Sequence, residues 1–341
     1  MLAVILGLGV AAVIAGACSL GGIDSDYGQI DAGPQPTPAQ VQACSALANA
    51  RCAALGVCND SAQILSTWGD LATCEERLAQ QCEYNLIAPG TGATVATTQA
   101  CTQKIPGLDC AWVNNPSHFY LEPEVCDPVD GGVAVGRPCF TSAQCQSGYC
   151  AVPANARCGT CAPTPHASDP CVDTEACGYG TNLGCLKQAC VVPLEAGASC
   201  AMNGTTLCGL GLACTTVDAG PEAGSTDVCV AEGTVAGQLC AHQDLGYPTC
   251  NNGLYCVNGA CAAVTYADAG GACGMLEADA APTQCTVSGA CVGGQCVLAV
   301  GDGQRCTAAA GAASCIPPAR CVLSTGSTEG TCALVGSTQC P

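Results

Sequence analysis

The chain has 341 residues with 35 cysteines, and its 27 Asp and Glu against 8 Lys and Arg give a formal charge of −19. This cysteine density excludes an ordinary protein of a reducing compartment, where thiols yield no cross-links, and the charge excludes the clustered cations that displace counterions from nucleic acid. With 43 glycines, 20 prolines, two Phe and two Trp, large side chains are too few for a single core of this length, so several small units stapled by disulfides are expected.

Residues 2–17, LAVILGLGVAAVIAGA, are an unbroken apolar run ending in small residues directly before Cys18. The run is shorter than the roughly 20 residues that cross about 30 Å of hydrocarbon, and it suits the hydrophobic region of a secretory leader. Ile14-Ala15-Gly16-Ala17-Cys18 resembles a bacterial lipobox, which implies removal of residues 1–17 and lipidation of Cys18. The alternatives are a secreted chain with Cys18 disulfide-bonded or cut away, and a retained membrane anchor. Setting Cys18 aside leaves 34 cysteines, enough for 17 disulfides. Residues 18–37 lack a hydrophobic period and are rich in Gly, Pro, Asp and Gln, as in a flexible tether. Ser19 after the cysteine resembles the signal for sorting to the outer membrane.

A helical, cysteine-stapled domain is expected over 38–132. Thr37-Pro38-Ala39-Gln40 supplies an N-cap, a proline at the first helical position and a capping-box Gln. Cys44, Leu47, Ala48, Arg51, Cys52 and Leu55 then recur at helical spacing. A second stripe, Trp68, Leu71, Cys74, Leu78, Cys82 and Leu86, stops at Pro89-Gly90, and a third short helix around Val95 to Lys104 stops at Pro106-Gly107. The eight cysteines here (Cys44, Cys52, Cys58, Cys74, Cys82, Cys101, Cys110 and Cys126) permit 105 pairings, all left open by the sequence.

Beyond Asp130-Gly131-Gly132 the helical period gives way to Gly-x-x-Cys starts. Residues 136–190 form one module: Cys139, Cys145, Cys150, Cys158 and Cys161, then Cys171, Cys177, Cys185 and Cys190. Over 196–340 four degenerate four-cysteine repeats follow, opening at Cys200, Cys240, Cys273 and Cys306. Each has C-x5-C in the middle (Cys208 and Cys214, Cys250 and Cys256, Cys285 and Cys291, Cys315 and Cys321) and closes at Cys229, Cys261, Cys296 or Cys332. Asn258-Gly259 and Gly293-Gly294, centred in four-residue spacers, are strong signals for two-residue hairpin turns. Tandem disulfide-rich hairpin and loop repeats are therefore expected to follow the helical domain. Such small units cannot offset an ordering cost of about 1.5 kcal/mol per residue by apolar burial, so cross-links worth roughly 2 to 4 kcal/mol each must hold them.

The five-cysteine run CFTSAQCQSGYCAVPANARCGTC, with Gly148-Tyr149-Cys150, resembles the Dickkopf N-terminal cysteine-rich domain over Cys139 to Cys190. The adjacent cysteine pair usual in that family's second half is reduced here to Cys177 followed by Gly178, so one of the module's nine cysteines lacks a partner. Cys340 is unassigned too, and the two orphans are available to each other. The order of leader, helical cysteine domain, Dickkopf-like module and repeats resembles the cysteine-rich envelope lipoproteins of myxobacteria.

Signatures of chemistry are sparse. His118, His166 and His242 lie far apart and outside any ligand pattern, so neither a metal site nor a catalytic dyad is expected, and no cofactor. Cys158-Gly159-Thr160-Cys161 is the lone C-x2-C, and its Gly- and Pro-rich surroundings point to two structural half-cystines rather than a redox pair. Asn59-Asp60-Ser61 and Asn203-Gly204-Thr205 fit the glycosylation sequon. Tyr149, Tyr179, Tyr247, Tyr255 and Tyr266, one near most units, are candidates for exposed contacts or for covering disulfides.

These features lead to the expectation of a non-enzymatic envelope lipoprotein at the outer membrane or cell surface, its repeat array acting as a stalk or binding surface. Its partners would be the membrane, through lipid on Cys18, and an extracellular or envelope protein or glycan, with no nucleic acid. The alternative is a secreted protease inhibitor or toxin-like binder, which needs a protruding loop; Val217 to Asp227 is the long insert.

Overall fold

The computed structural model describes residues 34–341 except 59–60, 109, 111–123, 127–129, 154–155, 157, 172–176, 178–182, 202–203, 210–211, 219–224, 234–235, 239, 241–249, 251–252, 276–279, 308–313, 325, 335–339 and 341. The leader, Cys18, His118, His242, Tyr179, Tyr247, Asn59 and Asn203 lie outside the described residues. The protein is disulfide-rich, a helical region followed by short antiparallel strand pairs, with 17 disulfides.

Helix α1 (Pro38–Cys58) begins at its capping box, where the Thr37 amide donates to Gln40 Oε1 at 2.8 Å and the Gln40 amide to Thr37 Oγ1 at 3.4 Å. Its long apolar stretch is that of a packed helix, because Cys44, Leu47, Ala48, Cys52 and Leu55 are buried on one face. Arg51 shares that stripe; desolvation lowers it to about 10, which leaves it a cation at neutral pH. A short helix α2 (Ala62–Thr67), which helical spacing alone does not reveal, precedes the expected second stripe and ends on its first residue, Trp68. Gly69, at φ +88°, turns the chain out of α2, and Asp70 then caps α3 (Leu71–Ile87) by accepting from the Thr73 amide at 2.7 Å. Trp68 therefore leaves the stripe: it packs from the end of α2 against Leu55, Ile64 and Leu78, while Leu71 is 48 % exposed at the first position of α3. Helix α4 (Val95–Lys104) starts at a reciprocal cap between Thr94 and Thr97 and tightens into a 3-10 turn over Ile105–Gly107. Cys44–Cys82 and Cys52–Cys74 are two rungs between antiparallel α1 and α3; Cys58–Cys110 and Cys101–Cys126 tie down the following chain.

The rest of the chain is built on one scheme used six times, with the 136–190 module supplying the first two copies. In every unit the first cysteine bonds the third and the second bonds the fourth: Cys139–Cys150 with Cys145–Cys161, and Cys171–Cys185 with Cys177–Cys190. The pattern continues as Cys200–Cys214 with Cys208–Cys229, and Cys240–Cys256 with Cys250–Cys261. Cys273–Cys291 with Cys285–Cys296, and Cys306–Cys321 with Cys315–Cys332, complete it.

The first unit is a three-stranded sheet of β1 (Pro138–Cys139), β2 (Cys150–Ala151) and β3 (Gly159–Cys161). Hairpins follow in the next three: β4 (Gly184–Leu186) with β5 (Ala189–Val191), β6 (Leu212–Asp218) with β7 (Ser225–Ala231), and β8 (Leu254–Val257) with β9 (Ala260–Ala263). The fifth adds a parallel pair, β10 (Thr265–Ala267) and β11 (Thr283–Cys285), before hairpin β12 (Ala290–Val292) and β13 (Gln295–Val297). The sixth is a sheet of β14 (Arg305–Thr307), β16 (Glu329–Ala333) and β15 (Arg320–Leu323) in that order.

The Gly-x-x-Cys opening has a backbone cause. Gly136, Gly197, Gly237, Gly270 and Gly303 all sit at φ between +73° and +85°, and each donates its amide to the carbonyl of its unit's fourth cysteine at 2.7 to 2.9 Å. The fourth cysteine returns its own amide to the residue after the glycine, as Cys332 does to the Gln304 carbonyl at 2.9 Å. The second unit does the same with a serine, Ser168 at φ +78°. Units are also joined without slack. In the sixth, the Val300 amide donates to the Ser314 carbonyl and its carbonyl accepts from the Ile316 amide, on either side of Cys315; Val133 and Leu194 do likewise beside Cys145 and Cys208. The segment leaving one unit is thus the first pairing segment of the next.

The array returns to the helical domain at both ends. The Gly132 amide donates to the Gly90 carbonyl at 2.6 Å and Gln144 Nε2 to the Pro89 carbonyl at 3.0 Å, docking the first unit behind α3. Val287 and Ser288 of the fifth unit donate their amides to the Leu65 and Ser66 carbonyls, and Ser288 Oγ reaches the Thr67 carbonyl, so a distant stretch of the chain caps α2. Both residues hold positive φ (54° and 47°), a conformation costing roughly 1 to 3 kcal/mol each that the docked α2 terminus offsets. In the sixth unit Asp302 accepts from Arg77 Nη1 at 2.7 Å, and Ile316 packs on the Trp68 cluster.

Candidate functional site

In each unit the third and fourth cysteines are direct cross-strand neighbours, from Cys150 opposite Cys161 to Cys321 opposite Cys332, yet they do not bond each other. Cross-strand side chains share one face of a hairpin, so both reach down to the first and second cysteines on the opening segment. The two disulfides lie so close that three sulfurs crowd within 4.8 Å of one another, as for Cys139, Cys145 and Cys161 or Cys273, Cys285 and Cys296. Such clusters have the geometry of a thiolate metal site, but every sulfur in them is spent in a disulfide and none is a thiolate ligand. The staple is the core: among the described residues of the sixth unit, the buried cluster is Cys306, Cys315, Cys332 and Ala319, with Cys321, Val300 and Leu334 packed against it.

Cys158 and Cys161 bond different partners. Cys161 completes the first unit with Cys145, and Cys158 bonds Cys340, 182 residues away. The Cys158–Cys340 bond has no counterpart in the other units.

Other residues singled out by sequence are scattered. His166 is exposed, and its backbone amide donates to Asp169 Oδ2 at 2.7 Å in the turn that opens the second unit. Tyr149 is 9 % exposed, so of its two expected roles the exposed contact does not hold: it lies between Gly148 and β2, and its backbone carbonyl is held by the Ala162 amide at 3.1 Å. Tyr255 and Tyr266 are half-buried, and burial raises the Tyr266 phenol above its ordinary range. Tyr84 on α3 is raised too, by burial and then by Asp302 and Glu83. Glu232, at the joint between the third and fourth units, is pushed up to about 7 by desolvation alone. The neighbouring Gly233 explains how tight that joint is, since a Cβ there would lie 2.5 Å from Cys261 Sγ.

The long insert is a hairpin. Strands β6 and β7 continue four residue pairs beyond the Cys214 and Cys229 pair, from Thr215 opposite Val228 to Asp218 opposite Ser225, and their tip lies outside the described residues. Thr216 Oγ1 donates across it to Asp227 Oδ1 at 2.7 Å. On the fifth unit, Met275, Val292 and Val297 are exposed apolar side chains. Sequence reasoning did not register the Arg77–Asp302 pair or the Val287–Ser288 dock, since neither carries a local spacing signal. Comparison with protein-family models, curated proteins and solved structures finds no match to this chain.

Proposed function

We propose that the protein is a non-enzymatic cell-envelope lipoprotein, anchored through Cys18, whose stapled array presents a protease-resistant binding or structural surface outside the membrane to an envelope or extracellular protein or glycan. The observation that carries this reading is the set of 17 disulfides: it fits an exported protein, and five of the six units build their buried clusters on those bonds. The docking of the fifth and sixth units on α2 and α3 favours a surface module over a stalk. Intact mass of the protein extracted from its native membrane tests it. Acyl chains on a chain starting at Cys18, with 34 alkylated thiols only after reduction, are expected; free thiols in the native sample, or a chain without lipid, would refute it.

A second reading, a secreted inhibitor or toxin-like binder, is favoured by one feature, the β6–β7 hairpin that outruns its staple. Inhibition of a panel of proteases by the soluble chain, lost on deleting residues 217–227, would establish that reading in place of the first.

A further inference from the structure

We propose that Cys158–Cys340 is a redox-labile clasp, whose reduction loosens the array from the helical domain while every unit stays stapled. The observations are connectivity and access, and they hold wherever the protein resides.

Sixteen of the disulfides close loops inside one unit or inside the helical domain, with separations of 11 to 52 residues. Cys158–Cys340 alone joins the first unit to the chain beyond the last one, across 182 residues. Everything it encloses is docked by weaker means: the Val287 and Ser288 amides on the end of α2, the Arg77–Asp302 pair and Ile316 on the Trp68 cluster. Cutting it leaves the 1–3 and 2–4 bonds of all six units intact and removes the one covalent constraint that holds the array's two ends together.

Access favours the same bond. Fifteen disulfides have at least one buried half-cystine; only Cys58–Cys110 and Cys158–Cys340 have neither buried. Thiol–disulfide exchange needs a thiolate to reach a sulfur, so accessible bonds react first. Two equivalents of a small thiol supply the two electrons and two protons: the Sγ–Sγ bond breaks, Cys158 and Cys340 become thiols, and the reductant leaves as its own disulfide. Oxidation of the two thiols by a disulfide of the same class reverses the step.

The test is a graded dithiothreitol titration of the full chain, with alkylation mapped by peptide mass and hydrogen exchange followed at the docking amides. Cys158 and Cys340, with Cys58 and Cys110, are expected to label at a reductant concentration at least tenfold below that needed by unit cysteines. Exchange at Val287 and Ser288 should then rise at least fivefold, with Cys332 still protected. A C58S/C110S variant should keep this response, and a C158S/C340S variant should show the raised exchange before any reductant is added. Unit cysteines labelling together with or before the clasp would overturn the proposal, as would unchanged exchange at Val287 and Ser288 once the clasp is open.

Discussion

The positive-φ opening of each unit yields a substitution experiment whose sign and size follow from geometry. At Gly303, φ is +75° and a Cβ would meet nothing within 4 Å, so Gly303→Ala adds only the backbone cost of placing an L residue in the left-handed region. That cost is about 1 kcal/mol, or roughly a fivefold rise in local opening. Gly330, in β16 opposite Leu323, differs in kind: its Cβ would lie 2.2 Å from the Val322 carbonyl oxygen and 3.0 Å from Leu323 Cα, both backbone atoms of β15. Gly330→Ala must force the paired strands β15 and β16 apart, which costs about 3 kcal/mol and raises opening on the order of 100-fold. The converse holds in the second unit, where Ser168 already occupies the strained position: Ser168→Gly should stabilise by about 1 kcal/mol. Hydrogen exchange reads each unit separately, at the Cys332 amide bonded to Gln304 and the Cys190 amide bonded to Asp169. Equal effects of the two alanines, or faster exchange at Cys190 in Ser168→Gly, would refute the argument that conformation rather than packing selects glycine at the openings.

Three further outcomes are expected. Glu232 holds its proton in the folded state up to about 7 against an ordinary 4.5, so its contribution is complete below about pH 4.5 and is lost as pH rises through 7; Glu232→Gln should remove that slope from a pH series of thermal melts and add about 1 to 2 kcal/mol at pH 8, after discounting for its partial contact with solvent. A Cys44→Ser, Cys82→Ser double variant loses the outer α1–α3 rung, and because Cys52–Cys74 already closes the inner loop the cost is about 3 kcal/mol, seen as a loss of helical signal at lower denaturant. Gly69→Ala combines a φ of +88° with a Cβ 2.6 Å from Val287 Cγ2, and should cost about 2 kcal/mol and speed exchange at the Val287 and Ser288 amides while leaving Cys332 unchanged.

What was legible in the sequence was whatever a covalent or conformational requirement writes at fixed spacing. Gly-x-x-Cys announces a left-handed turn before a cross-link, and Asn258-Gly259 and Gly293-Gly294 announce hairpins whose central residues all take positive φ. Lys187-Gln188 makes the same turn at φ 50° and 65° with no such signature, because the disulfides on either strand impose it. The first two units read as a separate module because their middle intervals are four and seven residues instead of five, and the pairing shows that this interval tolerates variation. Helical periodicity carried the second stripe straight across Gly69-Asp70, where a C-terminal turn and a new N-cap break the register. The returns of the array to α2 and α3 rest largely on backbone carbonyls, which every residue possesses and no sequence pattern marks.

The same scheme indicates where a partner's specificity would reside. Two disulfides and the two hydrogen bonds between opening turn and fourth cysteine fix each unit regardless of what lies between the cysteines, so the intervening loops are free to vary without loss of fold. The interval between third and fourth cysteines is four residues in the second, fourth and fifth units, a bare hairpin turn. It is ten in the first and sixth and fourteen in the third. The first unit spends its extra length on Cys158 and the link to Cys340, a purpose internal to the molecule. In the third, residues 215–218 and 225–228 extend paired β-strand past the staple, and Thr216 and Thr226 there are exposed. Length kept as ordered strand, in a unit that needs none of it to close its core, places residues 215–228 first among the segments to be exchanged when a binding partner is sought.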